Sequence, residues 1–148
     1  MQKKEIMKNL KKAIFKIMSE MFFIFNSDEE PYNKSARKDC HIYTININNE
    51  SQILLEFKLN RELMNNMMSN FTGTDYESLK DEEVIEGIKE FVNIVSGNFI
   101  EIFEEKMNMG IPAIQQLDYD TQKEGYNLVD EDELWFEDQI MYVKIFEK

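Results

Sequence analysis

Apolar positions along the chain recur every three to four residues in some stretches and every second residue in others, and the switches between these periods mark the elements. Over residues 2–25 the period is helical. Ile6, Leu10, Ile14, Ile17, Met21 and Ile24 share one side, while Lys4, Lys8, Lys11 and Lys12 share the other. Residues 26–38, with Asn26, Ser27, Asp28, Pro31 and Asn33, read as a polar loop. His41 to Ile47 and Gln52 to Leu59 then alternate in steps of two around Asn48-Asn49-Glu50, which predicts a hairpin. A short helix follows from Arg61 to Asn70, packing through Leu63, Met64, Met67 and Met68 and closed by Thr72-Gly73-Thr74.

The longest helical pattern runs from about Glu82 to Asn108, with Asp81 as its expected N-cap and Gly110 as its stop. Pro112 forces Ile111-Pro112-Ala113-Ile114 into an extended segment. A turn around Lys123-Glu124-Gly125 precedes a second hairpin, Leu134-Trp135-Phe136 and Ile140 to Phe146, joined near Asp138. No repeat, low-complexity tract or linker interrupts this order. It predicts one α+β domain over residues 1–148, a mostly antiparallel sheet packed by helices, with 1–25 as an amphipathic N-terminal helix.

Composition narrows the class. With 43% hydrophobic and 12% aromatic residues, 148 residues are enough for one packed core and too apolar for a disordered chain. The net charge of −12 argues against nucleic acid as a partner, because phosphate binding needs a basic face. Residues 1–25 are nevertheless +4, leaving −16 on the rest. A basic amphipathic helix can lie on a membrane, but a core-packed helix with a solvated lysine face explains the same pattern. Lys16, Ser19 and Glu20 interrupt the apolar stretch from Ala13 to Phe25, so no membrane span is expected there. One cysteine, Cys40, excludes an internal disulfide and fits a cytoplasmic location.

The candidate chemistry lies on the long helix. At about 100° per residue, Val84, Ile85, Ile88, Phe91, Val92, Val95, Phe99, Ile102 and Phe103 fall on one stripe. Opposite them stand Glu86, Glu90, Asn93 and Gly97. In mid-helix Asn93 costs about 0.5 kcal/mol relative to Ala and Gly97 about 1 kcal/mol, and Glu86 and Glu90 repel across one turn. An ordinary solvated face is one reading of that stripe. The other is a working surface: the Asn93 amide carries donor and acceptor on one fork and can orient a water, and Gly97 lets another chain approach.

Glu90-Phe-Val-Asn93-Ile-Val-Ser-Gly97-Asn98 resembles the Glu-x-x-Asn-x-x-x-Gly-Asn signature of the CheC/CheX/FliY chemotaxis phosphatases. The similarity extends to Leu54-Leu55-Glu56-Phe57, to Leu63–Phe71 with Gly73, to the acidic lead-in Asp75–Glu83 and to Ile111-Pro112, covering roughly residues 40–146. One copy of the signature is present, as in a CheX-type protein. Glu86 stands where the family usually has Asp or Ser, and the interval from Asn93 to Pro112 is shorter than usual.

The resemblance implies a CheC-like α+β fold and hydrolysis of the aspartyl phosphate of a CheY-like response regulator. By it, Asn93 would orient the attacking water, Glu90 would pair with the regulator's active-site lysine, and Glu86 and Gly97 would help dock the partner. The magnesium would belong to the regulator, leaving this chain with no cofactor or metal ligands of its own. A non-catalytic adaptor that docks the same regulator is the alternative. The resemblance also implies a homodimer paired through its sheets, and the apolar strand Ile140 to Phe146 is expected to supply an open edge for it.

Other candidates are weaker. Cys40 and His41 are strand neighbours facing opposite ways, so they form no dyad. A core cysteine and a rim histidine are expected. Asp118, Asp120 and the run Asp130-Glu131-Asp132-Glu133 lack the spacing of a calcium loop and read as solvated acidic loops. Trp135 and Phe136 read as packing residues.

Overall fold

Helix α1 (Lys3–Met21) buries Met7, Leu10, Ala13, Ile14, Ile17 and Met18, the spacing of an amphipathic helix held by its apolar stripe. The computed structural model describes residues 3–48, 52–101, 108–115 and 124–148. α1 stops short of the predicted Phe25. Phe23 takes a left-handed φ of 56°, and the N–H groups of Phe22 and Ile24 both donate to the Met18 carbonyl at 3.2 and 3.1 Å. That turn costs on the order of 1 kcal/mol for a residue with a Cβ. It buries Phe22 and Ile24 while leaving Phe23 and Phe25 exposed. On the basic side Lys8 and Lys12 are exposed, but Lys11 is ion-paired with Asp132 at 2.7 Å.

Strands β1 (Cys40–Asn48) and β2 (Gln52–Asn60) form the predicted antiparallel hairpin, with Tyr43 opposite Phe57 and Ile45 opposite Leu55. Residues 49–51 of the predicted turn lie outside the described residues. Helix α2 (Arg61–Thr72) starts on the Asn60 side chain, which accepts from Leu63 N–H at 2.7 Å, and ends on Gly73 at φ 71°. Helix α3 (Asp81–Ile100) follows. Asp81 is its first residue and not its N-cap; Lys80 holds that place without a side-chain bond, while the Asp81 carboxylate takes a bond from Arg61 at 2.6 Å. The predicted extension of α3 to Asn108 does not occur, because Asn108 and Met109 form strand β3 beside β1. Gly110 is therefore no helix stop; its N–H donates to the Asn46 carbonyl at 2.7 Å. Ile102 and Phe103 lie outside the described residues, as do Asp118, Asp120 and Lys123.

Strands β4 (Ala113–Gln115), β5 (Asn127–Phe136) and β6 (Gln139–Glu147) complete an antiparallel sheet ordered β3-β1-β2-β6-β5, with β4 also on β1. Two expectations change here. β6 is an interior strand between β2 and β5, so it offers no open edge for pairing copies. The acidic run Asp130–Glu133 is no loop; it forms the middle of β5, the sheet's outer strand. Charges suit that place, since they discourage edge-to-edge association. Three of them also find cations: Asp132 on Lys11, Glu133 on Arg37 and Glu131 on Lys144. Tyr43, Ile45, Leu55, Phe57, Val143 and Ile145 join the buried side chains of all three helices in one core. The result is the expected α+β architecture, which fixes α3 against the sheet with one stripe outward.

One buried polar node ties the sheet to α2. Besides capping α2, Asn60 donates through Nδ2 to Gln139 Oε1 at 2.8 Å and to the carbonyls of Ser35 and Ala36, both at 3.2 Å. Asn60→Ala removes the cap and strands buried acceptors, so we expect about 2–3 kcal/mol of lost stability. Urea unfolding measures it. A loss below about 0.5 kcal/mol would show that the node contributes nothing.

Candidate functional site

α3 is pinned by Val84, Ile88, Phe91, Val92, Val95 and Phe99, all fully buried. The Phe91 ring stands edge-on to Phe22 of the α1 turn and to Phe57 of β2, with centroids 5.7 and 6.2 Å away. Half a turn of the wheel away, Glu86 and Glu90 are exposed, as the sequence pattern predicts, while Asn93 and Gly97 are half-buried. Ile85, expected in the apolar stripe, sits at its margin and is only partly covered.

Glu86, Glu90 and Asn93 line an open groove of about 300 Å³ whose far wall is Gly110, Ile111 and Pro112. Lys89 joins them and holds Glu86 at 3.4 Å. Among the described residues, the side chains of Glu90 and Asn93 have no hydrogen-bond or ion-pair partner. A carboxylate and an amide are thus presented to solvent one helical turn apart on a rigid element, which is a geometry for entering another molecule's site.

The two α3 glycines play different parts. At Gly87 a Cβ would fall 2.3 Å from the Met68 thioether, so a side chain there would have to push the flexible end of Met68 aside. Gly87 lies on neither wheel stripe, and sequence reasoning passed over it. At Gly97 a Cβ would meet only Met109 Cε, at 4.0 Å. Nothing in the described chain requires a glycine there, and its absent side chain leaves the stripe shallow.

The remaining candidates do not assemble. Cys40 is buried, its Sγ 3.8 Å from the Lys38 carbonyl, and burial pushes its thiol pKa up. His41 is half-buried, and burial followed by the Arg61 charge lowers its pKa. Among the described residues, no three His, Cys, Asp or Glu side chains group to hold a metal ion. Phe136 is buried, and Trp135 is half-buried with its indole N–H on Glu133 at 2.8 Å. The sequence did not reveal an Arg37 cluster, in which the guanidinium bonds Glu133 and, at 2.7 Å, the Tyr142 hydroxyl. Arg37 holds the Glu133 carboxyl below the usual range. These bonds clamp the 3-10 turn Lys34–Arg37 to β5 and β6 and form no reactive centre. A wider groove of about 460 Å³ runs between α1 and β5, lined by Met7, Phe15, Asp130 and three lysines, without a group suited to catalysis.

A family model described as chemotaxis phosphatase CheX matches residues 42–126, more than half of the chain. No curated protein matches the sequence. Among solved structures, the chemotaxis protein CheX from Vibrio vulnificus superposes with a TM-score of 0.73 at 14% identity, over 100% of this chain and 99% of that one. CheX from Desulfovibrio desulfuricans gives 0.74 at 13% identity, over 97% and 99%. A chain of the CheX-CheY-BeF3-Mg complex from Borrelia burgdorferi gives 0.67 at 17% identity, over 96% and 97%. At such identities the likeness establishes the fold. Among the described residues no helix is long and apolar enough to cross a membrane.

Proposed function

The chain belongs to the CheX family of chemotaxis phosphatases, and from that membership we propose that it hydrolyses the aspartyl phosphate of a CheY-like response regulator. The observation that carries the reading is the pair Glu90 and Asn93, one turn apart on the outward stripe of a helix fixed by its opposite stripe. Inserted into the regulator's phosphorylated site, Asn93 would hold a water in line with the phosphoryl group. Positioning of this kind supplies much of the barrier lowering in phosphoryl transfer and asks for no shifted pKa. Glu90 would pair with the regulator's active-site lysine and set the register. Glu86, steadied by Lys89, would add negative charge beside that contact, and bare Gly97 would admit the partner's backbone. The magnesium that phosphoryl transfer needs would come with the regulator. A cytoplasmic location and a two-fold homodimer that leaves Glu90 open belong to the same reading. β6 plays no part in that pairing, since both its edges are taken.

The test is phosphate release from a phosphorylated receiver domain with magnesium present. Acceleration above the receiver's own rate is expected with the wild-type chain. Glu90→Ala should raise KM by about tenfold or more, the worth of a charge-assisted bond, with much of the rate regained at high concentration. A wild-type chain that binds beryllofluoride-loaded receiver without releasing phosphate from the phosphorylated form would instead establish the adaptor.

A further inference from the structure

Opposite the α3 stripe, the segment from β3 to β4 that pairs with β1 carries a feature that the phosphatase chemistry does not use. Met109 of β3 faces Ile47, while Ala113 of β4 faces Thr44. Three residues, 110–112, therefore stand opposite only two of β1, which is a bulge. Gly110 anchors it through its N–H to Asn46, where a Cβ would come within 3.3 Å of the Asn46 carbonyl oxygen. Pro112 restricts the backbone of Ile111 to extended conformations. Bulges bend a strand and re-aim its side chains, often beside active sites. This one leaves Ile111 90% exposed on the groove wall facing Glu90 and Asn93. Met109, 37% exposed, lies beside Gly97.

A single exposed isoleucine is ordinary on a protein surface. An isoleucine held out by a bulge, with a second apolar side chain near it and a polar pair across the groove, is a two-sided grip. We infer that Met109 and Ile111 form the apolar half of the docking surface, seated against apolar side chains on the regulator's rim next to its phosphorylated aspartate. This rests on the reading of α3 above. Continuity with the stripe favours that occupant, because a partner reaching Asn93 enters between the two walls. A lipid surface is disfavoured by charge: Glu86 and Glu90 share the groove and would repel anionic headgroups. The division of labour follows, with Glu90 giving register and a charged contact, Asn93 the water and Ile111 an apolar contact that adds affinity.

Three chains decide it: wild type, Ile111→Ser and Ile111→Leu, with circular dichroism as the folding control. Measured are the dissociation constant for beryllofluoride-loaded receiver, KM and kcat for phosphate release, and mass by light scattering. Ile111→Ser should raise the dissociation constant and KM by about tenfold, as loss of one buried aliphatic side chain implies, with kcat largely kept. Ile111→Leu should return both close to wild type. Unchanged binding in Ile111→Ser, beside a wild type that engages the receiver, overturns the proposal and leaves the phosphatase reading standing. A dimer that falls to monomer in Ile111→Ser makes a second copy the occupant and also overturns it. A wild type that neither binds nor hydrolyses overturns the underlying reading and this one with it.

Discussion

Asn93→Ala should keep its grip on beryllofluoride-loaded receiver while its phosphate release falls by about 10²-fold or more, the scale set by losing the positioning of a reactant. Asn93 is half-buried on the outward stripe, away from the packed side chains, and its amide has no partner among the described residues. Replacing it leaves no orphaned group, and alanine gains about 0.5 kcal/mol of helix propensity. Melting temperature and circular dichroism should therefore match wild type, so the lost rate is a loss of chemistry. The effect should lie in kcat, and raising the enzyme concentration should not restore it. That separates Asn93 from Glu90, whose loss concentration partly offsets. Hydrolysis unchanged in Asn93→Ala, in an active protein, would strip the residue of its catalytic role.

Phe91→Ala should lower stability by about 3–5 kcal/mol, the usual cost of emptying a fully buried aromatic site. The side chain is 0% exposed and touches Phe22 and Phe57 edge-on, so its loss unties α3 from both the α1 turn and the sheet. For a chain of this length that is a fall of about 10 °C in melting temperature. Phe71→Ala is the comparison. Its ring also contacts Phe22, at 5.7 Å, but is 53% exposed, and its removal should cost under about 1 kcal/mol. If Phe91→Ala does not fold, Phe91→Leu keeps the test open with a smaller, measurable loss. Equal costs at positions 71 and 91 would refute the account of α3 as held by its buried stripe.

The stripe on α3 was legible in the sequence because a helix buried on one side writes its environment every three to four residues. α2 was legible for another reason, its local caps: Asn60 stands before it and Gly73 closes it at positive φ. β5 was hidden. Its first seven residues, Asn127 to Glu133, lie at the sheet's edge and need no apolar alternation, so four acidic residues in a row read as loop. The same blindness misplaced β6, since an apolar strand looks alike at an edge or in the interior until its neighbour is recognised. The end of α1 was lost because Phe22, Phe23, Ile24 and Phe25 continue an apolar run, and only the backbone turn at Phe23 divides buried from exposed. Tertiary partners were out of reach altogether, as with Gly87 against Met68 and Asn60 against Gln139.

The two jaws of the groove are registered independently. α3 is set by its core contacts, whereas the Gly110–Pro112 wall is set by the residues of β1 on either side, Met109 on Ile47 and Ala113 on Thr44. The spacing between Asn93 and Pro112 along the chain is then no ruler of their spacing in space. Connectors change length at small thermodynamic cost, since closure entropy grows only slowly with loop size. Insertions or deletions between the jaws can accumulate over evolutionary time without moving the site. What such drift cannot touch is the register on β1, where a slip of one residue would turn the wall's side chains to the other face of the sheet.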